Sequence, residues 1–313
     1  MSALWLLPVG LRLLLINTFF SWFLKEKIVN VKEDKQLIQR LFLQYLFCSI
    51  FAILLAIYLG QLNFNLMFLT IFIVGIFNGY GCYSQWKATQ FNLSAMALFT
   101  FVDDAIAICL GYYILKEGKH INTGVASGLI ICALVVILFS LNNYWKKRII
   151  ENTGDKTRYL PYQFFFYALS FGIIWGFAEF AEAYFAFNAV GVGTFLSGWY
   201  CGSFATAFTF LLFKKSGGII NEVKETITNN SIPIMLIASI LIMLNIWLTY
   251  WIFQLQTPMV VAVPIFFASA MIMPALVGIF IFKEGEGYDK KDRLLFFAAA
   301  VGALLIGLNF TPK

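Results

Sequence analysis

Ten stretches of about twenty mostly apolar residues follow one another through this chain, at roughly 3–24, 38–60, 66–86, 91–115, 122–143, 162–187, 192–213, 232–254, 258–283 and 293–310. A helix of about 20 residues spans the roughly 30 Å hydrocarbon core of a bilayer. Inside lipid, backbone groups have no water to bond, so a spanning segment of this length must be helical. The composition supports the same reading: 61% of residues are hydrophobic and only 12% charged, against about 25% charged in ordinary soluble domains. A soluble core of 313 residues could not hide so much apolar surface. Disorder, collagen, coiled coil and cytosolic enzyme are excluded. The expected fold class is an all-α integral membrane protein with ten transmembrane helices. The first run has no basic leader or small-residue cleavage site and carries Arg12 mid-span, so it is expected to be a retained helix.

The net charge of +6 is a topological signal, not a nucleic-acid signature. Assigning alternate loops to opposite sides places eighteen Lys and Arg on one side, from Lys25 to Arg293, and only Lys116, Lys119 and Lys313 on the other. Positive charge favours the cytoplasm. The loops after runs one, three, five, seven and nine are therefore expected inside and both termini outside, in a multi-pass protein of the plasma or inner cell membrane.

Classical reaction motifs are absent. The five cysteines (Cys48, Cys82, Cys109, Cys132, Cys201) all lie in apolar runs without a CxxC pair, which reads as small apolar filler. His120 is the single histidine, so a histidine metal cluster or a Ser-His-Asp triad is unavailable. No phosphate-binding loop, HExxH or dinucleotide fingerprint occurs. No metal or cofactor is expected. Glycosylation-type triplets such as Asn92-Leu-Ser94 occur by chance at this length and carry no weight.

A repeat organises the chain. At an offset of 167 residues, Asn78 falls on Asn245, Tyr80 on Trp247, Tyr83 on Tyr250 and Gly111 on Gly278. At the same offset Lys116-Glu117-Gly118 falls on Lys283-Glu284-Gly285, and Leu141-Asn142 on Leu308-Asn309. The expected division is a five-helix repeat over 1–145, a basic cytoplasmic linker over 146–160, and a second five-helix repeat over 161–313. An odd number of spans per repeat makes the two repeats cross the bilayer in opposite senses. Inverted repeats of this kind build many secondary transporters, whose substrate sites lie near the midplane at the repeat interface.

The paired patterns Ala88-Thr-Gln-Phe-Asn-Leu-Ser94, Leu115-Lys-Glu117 and Gly128, against Pro258, Pro264, Phe282-Lys-Glu284 and Gly302, resemble the two EamA-type repeats of the drug/metabolite transporter superfamily. The resemblance covers nearly the whole chain and implies a ten-helix carrier. It departs from the family pattern at Ala97, near which the proline of the fourth helix is missing, while its counterpart Pro264 is present. Family members are commonly assigned cytoplasmic termini, opposite to the charge count.

Polar residues in the spans mark candidate sites, because polar groups in lipid are costly. Asn78 and Asn245 sit about a dozen residues into their runs, either as interhelical hydrogen-bonding groups or as a symmetric pair of substrate contacts. Tyr80, Tyr83, Trp247 and Tyr250 lie within about a turn of them, and Trp175 lies mid-run; each is either packing or cavity lining. Asp103 and Asp104 share midplane depth with Arg12, and since successive helical residues diverge by about 100°, either one pairs with Arg12 and the other faces a cavity, or these carboxyls are protonated or water-solvated polar glue. Glu179 lies a turn from Trp175, and Glu182 is expected to reach interfacial water. Gly75/Gly79, Gly124/Gly128, Gly172/Gly176 and Gly198/Gly202 carry the spacing that lets helices approach closely. Pro8, Pro264 and Pro274 are kinks or hinges. Glu117 and Glu284 are expected to close short turns.

The expected function is a secondary carrier of a small organic solute by alternating access, cationic or zwitterionic at its amine end, with proton coupling through a carboxylate. The expected protein is a monomer or homodimer in the lipid bilayer. The alternatives are a membrane enzyme acting on lipid-linked substrates and a structural subunit.

Overall fold

The computed structural model describes residues 6–117, 122–153, 159–213 and 231–308, without the side chains of 6, 147–153, 261, 264, 265, 267, 268, 287 and 306–308. The described residues form helices and no strand: α1 (Leu7–Ile28), α2 (Asp34–Tyr58), α3 (Leu66–Phe91), α4 (Leu93–Tyr113), α5 (Thr123–Thr153), α6 (Tyr162–Phe187), α7 (Val192–Phe213), α8 (Ile232–Gln254), α9 (Met259–Leu276) and α10 (Lys290–Leu308). Eight of them, α1 to α8, are long and apolar enough to cross a membrane. The chain is an all-α, multi-pass membrane protein. α10 falls outside that set because it opens on Lys290, Lys291, Asp292 and Arg293.

Local sequence sets the helix ends. Asn65, Asn92 and Asn122 accept the backbone N–H of Phe68, Ala95 and Val125 at 2.9, 2.7 and 2.9 Å, each satisfying an N–H that a first turn leaves orphaned. Asn92, the first residue of a glycosylation-type triplet, is thus a helix cap. Pro233 stands in the first turn of α8, where its missing N–H costs nothing. Lys116 and Lys283, paired at the 167-residue offset, both take the left-handed conformation, with φ of 58° and 55°. α1 widens into π turns over Arg12–Phe20 and again over Leu24–Ile28, and α9 continues through one at Val277–Ile281.

The described chain forms two compact units. The first comprises Lys87–Phe180 with Thr257–Lys313, and the second comprises Leu4–Trp86 with Ala181–Gln256. In the first unit, α5 packs along α10 and α4 along α9. Its core is aromatic: Phe99 meets the edge of Phe164 at 5.5 Å, with Phe139, Phe171, Ala299 and Ala303 around them. In the second unit, α2 packs on α7 and α8, and α1 on α8. α3 crosses α7 glycine to glycine. A Cβ on Gly202 would overlap the Phe72 carbonyl, and one on Gly75 the Trp199 carbonyl. Small residues here replace side-chain packing with backbone approach, as expected for helices that lack a hydrophobic drive within lipid.

Candidate functional site

In the first unit, one helix crossing joins the two helices that carry Asp103, Asp104 and Glu179. α6 meets α4 through Gly172 and Gly176; a Cβ on Gly172 would lie 3.5 Å from the Asp103 nitrogen, and one on Gly176 2.7 Å from the Asp103 carbonyl oxygen. Only glycine lets the two backbones come this close. Asp103 and Asp104 lie on α4 at this crossing, each 5% exposed, and Glu179 follows Gly176 by one turn and is 4% exposed. Trp175 lies between the glycines in sequence and stacks on Phe171, with ring centres 5.9 Å apart and planes 19° apart. The three carboxyls and the indole thus lie on the two helices that meet at this crossing. An ionised carboxylate at helix centre costs about 2.5–3.5 kcal/mol on insertion scales. Buried carboxyls in a span are therefore paired or protonated.

The second unit holds the paired asparagines. Asn78 on α3 is buried and donates its Nδ2 to Ser203 Oγ at 2.7 Å and to Tyr45 OH at 3.4 Å. Ser203 donates its own proton to backbone carbonyls of Gly75 and Trp199, both at 3.0 Å. It can thus only accept from Asn78, which fixes the orientation of the amide. Asn245 on α8 accepts Nε of Arg12 at 3.0 Å. Arg12 and Asn245 belong to the second unit, whereas Asp103 and Asp104, the expected ion-pair partners of Arg12, belong to the first.

The remaining candidates divide between packing and surface. Tyr250 donates to the Val190 carbonyl at 2.8 Å and stacks on Phe195 at 4.2 Å, a structural position. Tyr83 donates to Asp34 at 2.9 Å, and both Tyr80 and Tyr83 meet Phe210 edge-on. Trp247 is 44% exposed, on the outer face of α8. Glu182 corrects an expectation: it is 2% exposed and does not reach interfacial water. Its position near the end of α6 suggested the interface, but tertiary packing covers that turn. His120 and the linker residues 154–158 lie outside the described residues.

Sequence reasoning missed the network around Asn78. Gln44 on α2 donates to Cys82 Sγ at 3.8 Å, Ser239 donates to the Gln44 carbonyl at 3.0 Å, and Tyr200 donates to the Ile242 carbonyl at 3.1 Å. Gln44 was a visible signal, an amide in an otherwise apolar stretch. The hydroxyls were not, since Ser and Tyr in a helix can bond locally.

No family model matches the chain, and no curated protein matches it. Among solved structures, one described only as "Crystal structure of protein" is similar over the full length of both chains, with a TM-score of 0.59 and 16% identity. At that identity the likeness speaks for the fold alone.

Proposed function

We propose that this chain is a secondary carrier for a small organic solute with an amine group, cationic or zwitterionic, working by alternating access in the cell membrane. The observation that carries the reading is the burial of Asp103, Asp104 and Glu179 on the two helices that meet at a crossing built from glycines. A lipid-facing structural subunit gains nothing from three buried carboxyls. A carrier uses them to exchange a proton for a substrate cation, with aromatic faces holding the ammonium group.

The proposed architecture is ten spans in two inverted five-helix repeats, of the EamA type in the drug/metabolite transporter superfamily. It is supported by the offset of 167 residues, by the matching left-handed Lys116 and Lys283, and by the roles of the glutamates that follow them. Purified protein in proteoliposomes tests the reading. Saturable amine uptake that shows counterflow supports a carrier. Flux that never saturates, or none for any amine or amino acid, sinks it.

A further inference from the structure

The second unit contains two buried amides whose carbonyl oxygens meet no donor among the described residues. Gln44 lies mid-length on α2 and Asn78 mid-length on α3, both buried. Gln44 Nε2 donates to Cys82 Sγ at 3.8 Å, and Asn78 Nδ2 donates to Ser203 Oγ at 2.7 Å and to Tyr45 OH at 3.4 Å. Gln44 and Tyr45 are neighbours on α2, while Asn78 and Cys82 are one turn apart on one face of α3. These contacts bring the two amides to one level of the α2–α3 pair. Gln44 Oε1 and Asn78 Oδ1 are both buried there without a hydrogen-bond partner.

Buried polar atoms left unfilled are uncommon and costly to keep. The hydroxyls close by are already committed. Ser203 donates to the Gly75 and Trp199 carbonyls, Ser239 to those of Gln44 and Met235, and Tyr200 to that of Ile242. The fixed orientation of the Asn78 amide keeps its oxygen an acceptor. The sequence repeat adds an independent sign. Asn245, which falls on Asn78 at the 167-residue offset, has its Oδ1 occupied by Arg12 Nε at 3.0 Å. At one of the two equivalent asparagines the chain supplies the donor; at the other the described residues supply none.

The donor that fits is uncharged. Gln44, Tyr45, Asn78, Cys82 and Ser203 are neutral side chains. The titratable groups acting on Tyr45 are Cys48, Cys82 and Tyr200, two thiols and a phenol that ordinarily carry little charge at neutral pH. Glu182 acts on Tyr200, whose ring lies 6.3 Å from that of Tyr45, but it is not among the groups acting on Tyr45 itself. A cation seated among neutral groups in mid-span pays heavily for its lost hydration. A hydroxyl or a carboxamide N–H does not. We infer that Gln44 and Asn78 form a binding site within the second unit for an uncharged small molecule, which donates hydroxyl or carboxamide hydrogens to their two oxygens. The site uses none of the carboxyls of the first unit and does not rest on the carrier reading.

The test is thermal unfolding of the purified protein in nanodiscs with added short-chain polyols, hexoses and small primary carboxamides. Their deoxy or alkyl analogues, alkylamines and carboxylates serve as controls. Polyols stabilise any folded protein by exclusion from its surface, a part that does not saturate and is common to all variants. Binding is the saturable part. At least one polyol, hexose or carboxamide should give a saturable rise that its deoxy or alkyl analogue does not, and the probe class that does so tells which donor the site takes. Gln44→Met keeps the length of the side chain and removes the oxygen, so it should weaken that probe at least tenfold. It should leave the ligand-free melting temperature little changed, because the amide it removes has an unfilled oxygen. Asn78→Leu also loses the bonds to Ser203 and Tyr45, so Gln44→Met and the analogue series decide the matter. No saturable response to any hydroxyl or carboxamide probe, an undiminished response in Gln44→Met, or preference for amines or carboxylates would overturn the site and leave the carrier reading standing. A marked fall in the ligand-free melting temperature of Gln44→Met would show that fixed water fills the two oxygens, and would overturn the site as well.

Discussion

Glu117 and Glu284, 167 residues apart, each bind the start of the helix that the other one follows. Glu117, just after α4, accepts the backbone N–H of Val260 in the first turn of α9 at 3.0 Å. Glu284, just after α9, accepts the N–H groups of Leu93 and Ser94 in the first turn of α4 at 2.8 and 2.7 Å, and the Ser94 hydroxyl at 2.8 Å. α4 and α9 are therefore antiparallel and clasped at both ends. Each carboxylate meets the positive end of a helix dipole. Gly111 and Gly278, also paired at the offset, make room: a Cβ on Gly111 would touch Met259, and one on Gly278 would clash with Ser94 at 2.8 Å.

Removing either clasp should destabilise the first unit, and unequally. Glu284 satisfies two orphan N–H groups and a hydroxyl, so Glu284→Ala should cost about 2 kcal/mol. Glu117→Ala should cost about 1 kcal/mol on the same scale. Thermal unfolding in detergent micelles, followed by far-UV circular dichroism, checks the order. Equal stability of both variants and wild type would show that the clasp is decoration.

The glycine crossing of α3 and α7 makes a second, sharper contrast. Gly202→Ala drives a methyl into the Phe72 carbonyl, an overpacking that should cost about 1–3 kcal/mol. Gly10 on α1 has nothing within 4 Å of the site of a Cβ, so Gly10→Ala should be neutral or stabilising by up to about 1 kcal/mol through helix propensity. Melting temperatures of the two variants should move in opposite directions, or that of Gly10→Ala not at all.

At the end of the first unit, Lys146 is ion-paired with the buried Asp292 and with Asp289 at 3.2 Å, and Asn142 donates to Asp292 at 2.8 Å. Losing one partner of a buried pair leaves the other charge uncompensated, so Lys146→Ala should cost about 3 kcal/mol or more. Asp289 carries a pH signature. Burial pushes its carboxyl up, but the Asp292 N–H at 2.8 Å and Lys146 outweigh that and hold it below the ordinary value of 3.8. A group whose pKa is lower when folded stabilises the protein above its unfolded pKa, and this is lost as pH falls through the folded value. The contribution is thus complete at neutral pH and disappears only below about pH 4. Asp289→Asn should flatten the acid limb of stability against pH and leave the neutral plateau's slope unchanged. An unaltered acid limb would rule Asp289 out as its source.

Orientation follows from the loop charges alone. Reporter fusions should find Lys313 outside and Lys156 in the cytoplasm, given eighteen basic residues on one side against three on the other. Cytoplasmic signals at both sites would reverse the assignment and bring the chain into line with the termini usual in the family it resembles.

The apolar runs at 162–187, 192–213 and 232–254 coincide with α6, α7 and α8, because Pro and Gly or charged loops flank them sharply. α1 is different. It continues as helix through Lys25, Glu26 and Lys27 to Ile28, since long charged side chains near a span's end extend to the interface without breaking the helix. Asp103, Asp104 and Glu179 were legible as charges where lipid should be. Their gathering was half legible: the Gly172/Gly176 spacing announced a close approach, but not that Asp103 lay opposite. The burial of Glu182 and the clasps of Glu117 and Glu284 were not readable. A cap reaching across 190 residues leaves no local pattern, unlike the cap from Asn92 to Ala95 three residues on.

The carboxylate cluster yields the decisive functional prediction. If Asp103, Asp104 and Glu179 exchange protons for a substrate amine, uptake should depend on pH in the wild type, and the residue that carries the exchange should abolish that dependence when neutralised. Asp103→Asn, Asp104→Asn and Glu179→Gln keep side-chain volume and one acceptor oxygen while removing the charge, so folding should survive each change. Because the two aspartates point about 100° apart on α4, their effects should differ. At least one variant should lose tenfold or more of its uptake, equivalent to about 1.4 kcal/mol of lost stabilisation, together with its pH dependence. A variant that loses uptake but keeps the wild-type pH profile has lost packing and not proton exchange. Wild-type rates and pH profiles in all three, or uptake restricted to anions, would remove the cluster from the site.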